Sequence, residues 1–182
     1  MPHWRHGDPF CWISIDCVDM GINEPYPYEK VWSNRWYSKK ENGAGVRYEI
    51  GVCIATGYIV WINGPFACGQ LNDWDIFSKK GLKDNLDEYE RVETDRGYLA
   101  GDPEFVRCKD SVLHESSQRL VRNEIMARHE TVNNRLKFFN ILSKQYHHKL
   151  QNHQIVFDAV ATLVQLSFEN GSPPFEIEKD YF

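Results

Sequence analysis

The sequence has no apolar run approaching the ~20 residues that a membrane-spanning helix requires, so a helical membrane protein is not expected. Its N-terminus, MPHWRHGDPF, lacks the apolar core of a secretory signal, and an intracellular protein is expected, nuclear if the source is eukaryotic. There is no C-x-x-C pair. Cys11, Cys17, Cys53, Cys68 and Cys108 are scattered and odd in number, which argues for reduced thiols rather than a disulfide frame or a zinc knuckle. Cys53, inside an apolar run, reads as a small core residue. Positive charge is also in short supply: 21 Lys and Arg against 26 Asp and Glu give a net charge of −5. Phosphate contacts provide most non-specific DNA affinity, so this balance disfavours autonomous tight binding to a duplex, though not an enzyme whose acids hold cations. No repeat, low-complexity tract or internal linker divides the 182 residues. One domain over 1–172 is expected, followed by a loosely attached acidic tail over 173–182.

What is present is periodic. CWISIDCVDMGI (11–22) reads as a strand with Asp16 in its middle, and 23–43 as a long loop rich in Pro, aromatics and bases. GVRYEIGVCIA and YIVWING are two β-rich runs joined at Thr56-Gly57, a hairpin signal. GPFACGQLND then reads as a turn-rich loop, and DWDIFSKKGL as a short helix with Asp73 as its N-cap. YERVET is a strand leading into Asp95, and EFVRC a short further one. Val121, Ile125, Val132, Leu136 and Phe139 fall on one face of a long helix. QIVFDAVATLVQLSFENG predicts a second helix, apolar almost all round and therefore buried, with Asp158, Thr162 and Gln165 as its polar stripe and Gly171 closing it. This order predicts an α/β fold, a mixed sheet flanked by helices.

Three acids stand out by context. Asp16 interrupts a buried-looking strand, where an unpaired carboxylate is costly. Asp95 sits just past a strand's end, where Asp is also an ordinary turn residue. Glu130 lies on the long helix beside its apolar stripe. Carboxylates of this kind can hold Mg²⁺ or Mn²⁺, and two such ions can activate water and stabilise the leaving oxygen in phosphodiester cleavage.

SIDCVDMGINEP, WYSKKENGAGVRYEIGVCIATGYIVWINGPF, GQLNDWDIF, VETDRGY and RHETVNNRLKFF occur in the order seen in DDE-type transposase nucleases. The chain resembles the Harbinger and bacterial insertion-sequence branch of that superfamily over roughly residues 12 to 170. The resemblance implies a ribonuclease-H-like fold, a divalent-metal site and cleavage of DNA phosphodiester bonds. It places the catalytic, metal-binding acids at Asp16, Asp95 and Glu130. The family usually follows its first acid with Gly and Thr; here Cys17 and Val18 stand there, and Asp19 is a second candidate ligand. Asp73 matches a further acid that the family often carries, beside its reading as an N-cap. Members usually also carry an N-terminal helix-turn-helix segment. The residues before Asp16 are too few to build one, so a separate DNA-binding partner subunit or a missing N-terminal segment is expected, with oligomerisation left open.

The remaining features admit plainer readings. Arg35, Lys39, Lys40 and Arg47, with Arg122, Arg128, Arg135 and Lys137, could meet phosphates but read as solvated charge. Arg96 could position a phosphate or pair locally with Asp95. His147, His148 and His153 fit no zinc-site spacing and read as surface or capping residues. Trp32, Trp36 and Tyr37 could stack on unpaired bases, or simply anchor their loop. Two functions follow: a metal-dependent nuclease and strand-transfer enzyme, or a non-catalytic transposase-derived remnant kept as a DNA- or protein-binding module.

Overall fold

In the computed structural model, residues 10–25, 34–88, 90–98, 106–108 and 116–177 are described. Trp32 and the last part of the acidic tail, 178–182, lie outside them. The strands are β1 (Phe10–Gly21), β2 (Tyr37–Ser38), β3 (Gly43–Cys53), β4 (Ile59–Ala67), β5 (Glu90–Thr94) and β6 (Val106–Cys108). The helices are α1 (Asp73–Lys80), α2 (Ser116–Lys137), α3 (Asn140–Ser143) and α4 (His153–Glu169). The expected α/β architecture with a mixed sheet is present.

β3, β1, β5 and β6 follow one another across the sheet, with β2 and β4 both on the outer edge of β3. The hairpin half is antiparallel: β3 pairs with β1, with β2 and with β4. The other half is parallel, β1 with β5 and β5 with β6. Alternation along β1 sends Val18 and Met20 to one face and Ile15 and Cys17 to the other. The first face is covered by the long helices: Tyr48, Ile50 and Val52 of β3 pack with Val132 and Leu136 of α2 and with Phe157, Val160 and Val164 of α4. On the second face Ile15 and Val92 pack against Phe77 of α1, Leu82 and Tyr98. Among the described residues no helix is long and apolar enough to cross a membrane.

Four sequence expectations are corrected. The loop read over 23–43 contains a 3-10 turn, Asn34–Trp36, and the short strand β2. The turn-rich reading of GPFACGQLND is wrong in its first half, because β4 runs on through Pro65 to Ala67. Proline is tolerated there because, among the described residues, β4 pairs only with β3 and the ladder shifts register between Arg47 and Glu49, opposite the Gly64–Pro65 step. α4 is not buried all round: Phe157, Val160 and Phe168 are covered, whereas Ile155, Leu163 and Leu166 are exposed. Its end is as expected, with Gly171 at positive φ and the Ser172 amide bonding back to the Ser167 carbonyl. The N-cap of α1 is Asn72, whose side chain accepts the Asp75 amide at 2.7 Å. Asp73 is thereby the first residue inside the helix and its carboxylate is available for other work.

Candidate active site

Pairing between β1 and β5 ends at Ile15 and Thr94. The next residues on the two chains are Asp16 and Asp95, on neighbouring parallel strands that lie roughly 4.8 Å apart. β5 stops there and the chain turns into the 3-10 segment Arg96–Tyr98, while β1 continues with that edge released. The carboxyl end of a parallel strand beside a change of sheet direction is where open α/β sheets form their crevices.

Each carboxylate is held by the backbone that follows it. Asp16 Oδ1 accepts the Cys17 amide at 2.7 Å. Asp95 Oδ1 accepts the Gly97 amide at 2.7 Å, closing an Asx turn. Asp16 Oδ2 accepts from Asn133 Nδ2 on α2 at 3.1 Å. One step back, the His129 ring lies 3.0 Å from Ser14 Oγ. Four helical residues and two strand residues advance the chain by nearly the same ~6 Å, so α2 runs along β1 and matches His129 to Ser14 and Asn133 to Asp16.

Asp73 reaches the same place from α1. A methyl group built on Gly97 would lie 2.5 Å from Asp73 Oδ2 and 3.0 Å from Asp95 Oδ1, so only a glycine lets these two carboxylates flank that point. The other oxygen of Asp73 accepts Arg47 Nη1 at 2.8 Å. Arg47 also grips Asp19 through Nε at 2.7 Å and Nη2 at 3.0 Å, and Ser38 adds a bond to Asp19 at 2.6 Å. Burial alone would raise the Asp19 carboxyl, but these bonds outweigh it and hold the group below its ordinary range. Asp19 is held in this ion pair, three residues from Asp16 and on the opposite face of β1.

The electrostatics mark Asp16 as the strained member. Burial pushes its pKa up to about 6; Lys40 partly offsets this, while the charges of Asp95 and Asp73 push it further up. Asp73 is raised as well, by burial and by Asp95, against the pull of Arg47 and Lys40. Lys40 donates to the Cys17 carbonyl at 3.0 Å, which fixes its ammonium beside the acids.

Glu130 is exposed on α2, one turn before Asn133 and on the same flank. Asp73, from α1, is one of the charges that raise Asp16. Among the described residues no group of three His, Cys, Asp or Glu side chains is gathered closely enough to hold a metal ion. The donors nonetheless suit a hard cation in kind: oxygen ligands that repel one another, with one carboxyl held toward its protonated form. Asp16 and Asp95 follow the last paired residues of β1 and β5, Asp73 and Asp95 flank Gly97, and Glu130 is exposed on α2.

Sequence reading underrated Asn133, Gly97 and Lys40. The interval of four from His129 to Asn133 and the glycine two residues after Asp95 were the signals available. Two arginines and one histidine differ from the expectation, whereas His147 and His148 are at the surface as expected. Arg122 and Arg128 are buried rather than solvated or phosphate-facing; Arg122 lies 3.3 Å from Glu93, and Arg128 donates to the Ile54 carbonyl. His153 is a core residue, 2.8 Å from the Tyr48 hydroxyl. Among the described residues Cys17 and Cys68 are the buried thiols, whereas Cys53 is half-buried. Trp36 packs at the margin of the main core, as a loop anchor does.

Neither a protein-family model, nor a curated protein, nor a solved structure matches the chain.

Proposed function

We propose that the chain is the catalytic domain of a DDE-type nuclease with a ribonuclease-H-like fold, cleaving DNA phosphodiester bonds with the help of Mg²⁺ or Mn²⁺. One observation carries the reading: the β1–β5 register sets Asp16 beside Asp95 at the point where the parallel pair ends. A mixed sheet with a contiguous hairpin half and a parallel half is what such a fold requires, and supports the same reading.

Asp16 and Asp95 would hold the cation, with Glu130 as the third ligand that the resemblance implies and Asp73, which flanks Gly97 opposite Asp95, as the other candidate. When bound, the cation supplies an activated water and offsets charge on the leaving oxygen. Asn133 and the Cys17 amide fix both oxygens of Asp16, so its lone pairs are oriented before substrate arrives. Lys40 brings a positive charge to the mouth of an otherwise acidic site. A side-chain nucleophile is not required. The nearest thiol, Cys17, is buried and its pKa is pushed well above the ordinary value, so it stays protonated and unreactive.

The experiment is nicking of supercoiled plasmid by the purified chain with Mn²⁺ or Mg²⁺. Activity is expected in the wild type and lost in Asp16→Asn and Asp95→Asn. Glu130→Gln and Asp73→Asn, run side by side with melting controls, identify the third ligand by which one abolishes cleavage. An inactive wild type favours the non-catalytic remnant, and protein joined covalently to DNA contradicts the mechanism.

A further inference from the structure

A concavity opens on the α1 face near the acids, with none of Asp16, Asp73 and Asp95 in its lining. It is a cleft of about 630 Å³ whose walls include Tyr37, Lys39, Lys40, Arg47, Gln70 and Asn72. Its frame is firm. Tyr37 is paired to Ala44 in the β2–β3 ladder, and the Gly69 amide donates to the Arg35 carbonyl at 2.8 Å. A side chain at position 69 would collide with the Asn34 carbonyl, so the two walls meet only because that residue is glycine.

The charge of the cleft runs against that of the chain. Its two acids are already neutralised, Asp19 by Arg47 and Asp75 by Lys79 at 2.6 Å. Arg47 is likewise spent on Asp19 and Asp73. Lys40 donates its hydrogen bond to a neutral carbonyl, with Asp16 and Asp73 within electrostatic reach, and Lys39 is exposed; among the described residues neither ammonium is closed into an ion pair, so both can still meet a phosphate. Beside them the ring of Tyr37 is 46% exposed although its backbone is fixed in a strand. A rigid, half-open aromatic ring next to two cations suits a ligand that alternates flat faces with negative charges.

We propose that this cleft takes an unpaired nucleic-acid strand, with a base stacked on Tyr37 and its phosphates on Lys39 and Lys40. Lys40 bridges the two sites, since it lines the cleft and is bonded one residue past Asp16, so a strand lying here leads toward the acids. The direction of cleavage rests on the nuclease reading; the binding does not.

The test is fluorescence anisotropy of the full chain with a labelled eight-nucleotide single strand in EDTA, where no cleavage occurs. Expected is binding whose salt slope falls by about 0.7 for each lysine removed in Lys39→Gln and Lys40→Gln. Tyr37→Ala should weaken binding roughly fivefold or more, and Tyr37→Phe should bind as the wild type does. Melting curves identify a variant that fails to fold; the two lysines are exposed, and their substitution tests the cleft even if Tyr37→Ala does not survive. Unchanged affinity and salt slope in the Lys39→Gln/Lys40→Gln double variant overturns the proposal. So does equal competition by a single mononucleotide or by a phosphopeptide, or tighter binding of blunt duplex. Strand binding that depends on these residues without any nicking leaves the cleft standing and the nuclease reading fallen; nicking with binding indifferent to them does the reverse.

Discussion

Asp16 lies in the middle of a strand, faces the helical layer and has two other acids within electrostatic reach. The folded chain therefore keeps a proton at pH values where the unfolded chain has released it: the carboxyl titrates at about 6 in the fold against 3.8 without it. A raised acid of this kind makes stability fall as pH rises through that window. Removing the charge should relieve it. Asp16→Asn is expected to stabilise the metal-free chain by roughly 1–2 kcal/mol at pH 7, with the gain vanishing near pH 4. Its new amide can still be satisfied, since Asn133 Oδ1 is buried without a partner and can accept once that side chain turns over. Urea unfolding at the two pH values checks this; a variant less stable than wild type at pH 7 contradicts it. Gly97 gives the complementary case. In Gly97→Ala the new methyl would sit against Asp73 and Asp95 side-chain oxygens rather than backbone. The melting temperature should fall little, by no more than the equivalent of about 1 kcal/mol, whereas the response to Mn²⁺ should be lost. A normal metal response in a folded Gly97→Ala protein would show that the two carboxylates do not act together.

At the scale of elements, α4 carries two apolar surfaces with different work. Phe157 is fully buried and stacks on Tyr48 with ring centroids 3.8 Å apart, whereas Leu163 is 52% exposed. Phe157→Ala should cost about 3–5 kcal/mol, and Leu163→Lys should stay within about 0.5 kcal/mol. Denaturant midpoints for the pair decide it, and similar losses in both would mean that the exposed face is covered in solution. Much of this layer was legible in the sequence. Alternation in 11–22 and the seven-and-four spacing from Ile125 through Val132 to Leu136 identify a strand and a helix because burial on one face imposes those periods. The failures have physical causes. An apolar composition cannot tell which face of α4 is covered, because that depends on how far the sheet extends beneath it. Pro65 reads as a breaker unless it is known that β4 lies at an edge. Asp73 and Asn72 are both good caps, and only the backbone decides between them. The site was half legible: Asp16 and Asp95 follow from strands and their ends, but the approach of Asp73 across Gly97 depends on the packing of α1.

Over the whole molecule, two sets of buried groups oppose each other. Burial lowers His129 to about 3 and His153 to about 4, so the fold excludes protons that the unfolded chain accepts below 6.5. Those histidines make stability drop as pH falls. Asp16 and Glu49, both raised by burial to about 6, take up protons in the fold and act in the opposite sense between about pH 6 and 4.5. Asp73 and Glu90 are raised as well and Asp19 is held low, so groups stand on both sides; stability should change little across that interval and fall more steeply below about 4.5. Urea midpoints at pH 7, 6, 5 and 4 test this; a steep, continuous loss from pH 6 to 4.5 would mean that the acids are not buried as described.

The central claim is that Asp16 and Asp95 form one cation site. Clustered carboxylates without a cation weaken a fold, and an ion that binds only the folded state strengthens it by mass action. The direct measurement is the melting temperature at pH 7 against Mn²⁺ concentration, for the wild type and for Asp16→Asn/Asp95→Asn. At tenfold the dissociation constant the stabilisation is about 1.4 kcal/mol, which for a chain of this size raises the melting temperature by roughly 3–6 °C. The account predicts that rise in the wild type and none in the double variant; an absent rise in the wild type, or an equal one in both, would contradict it.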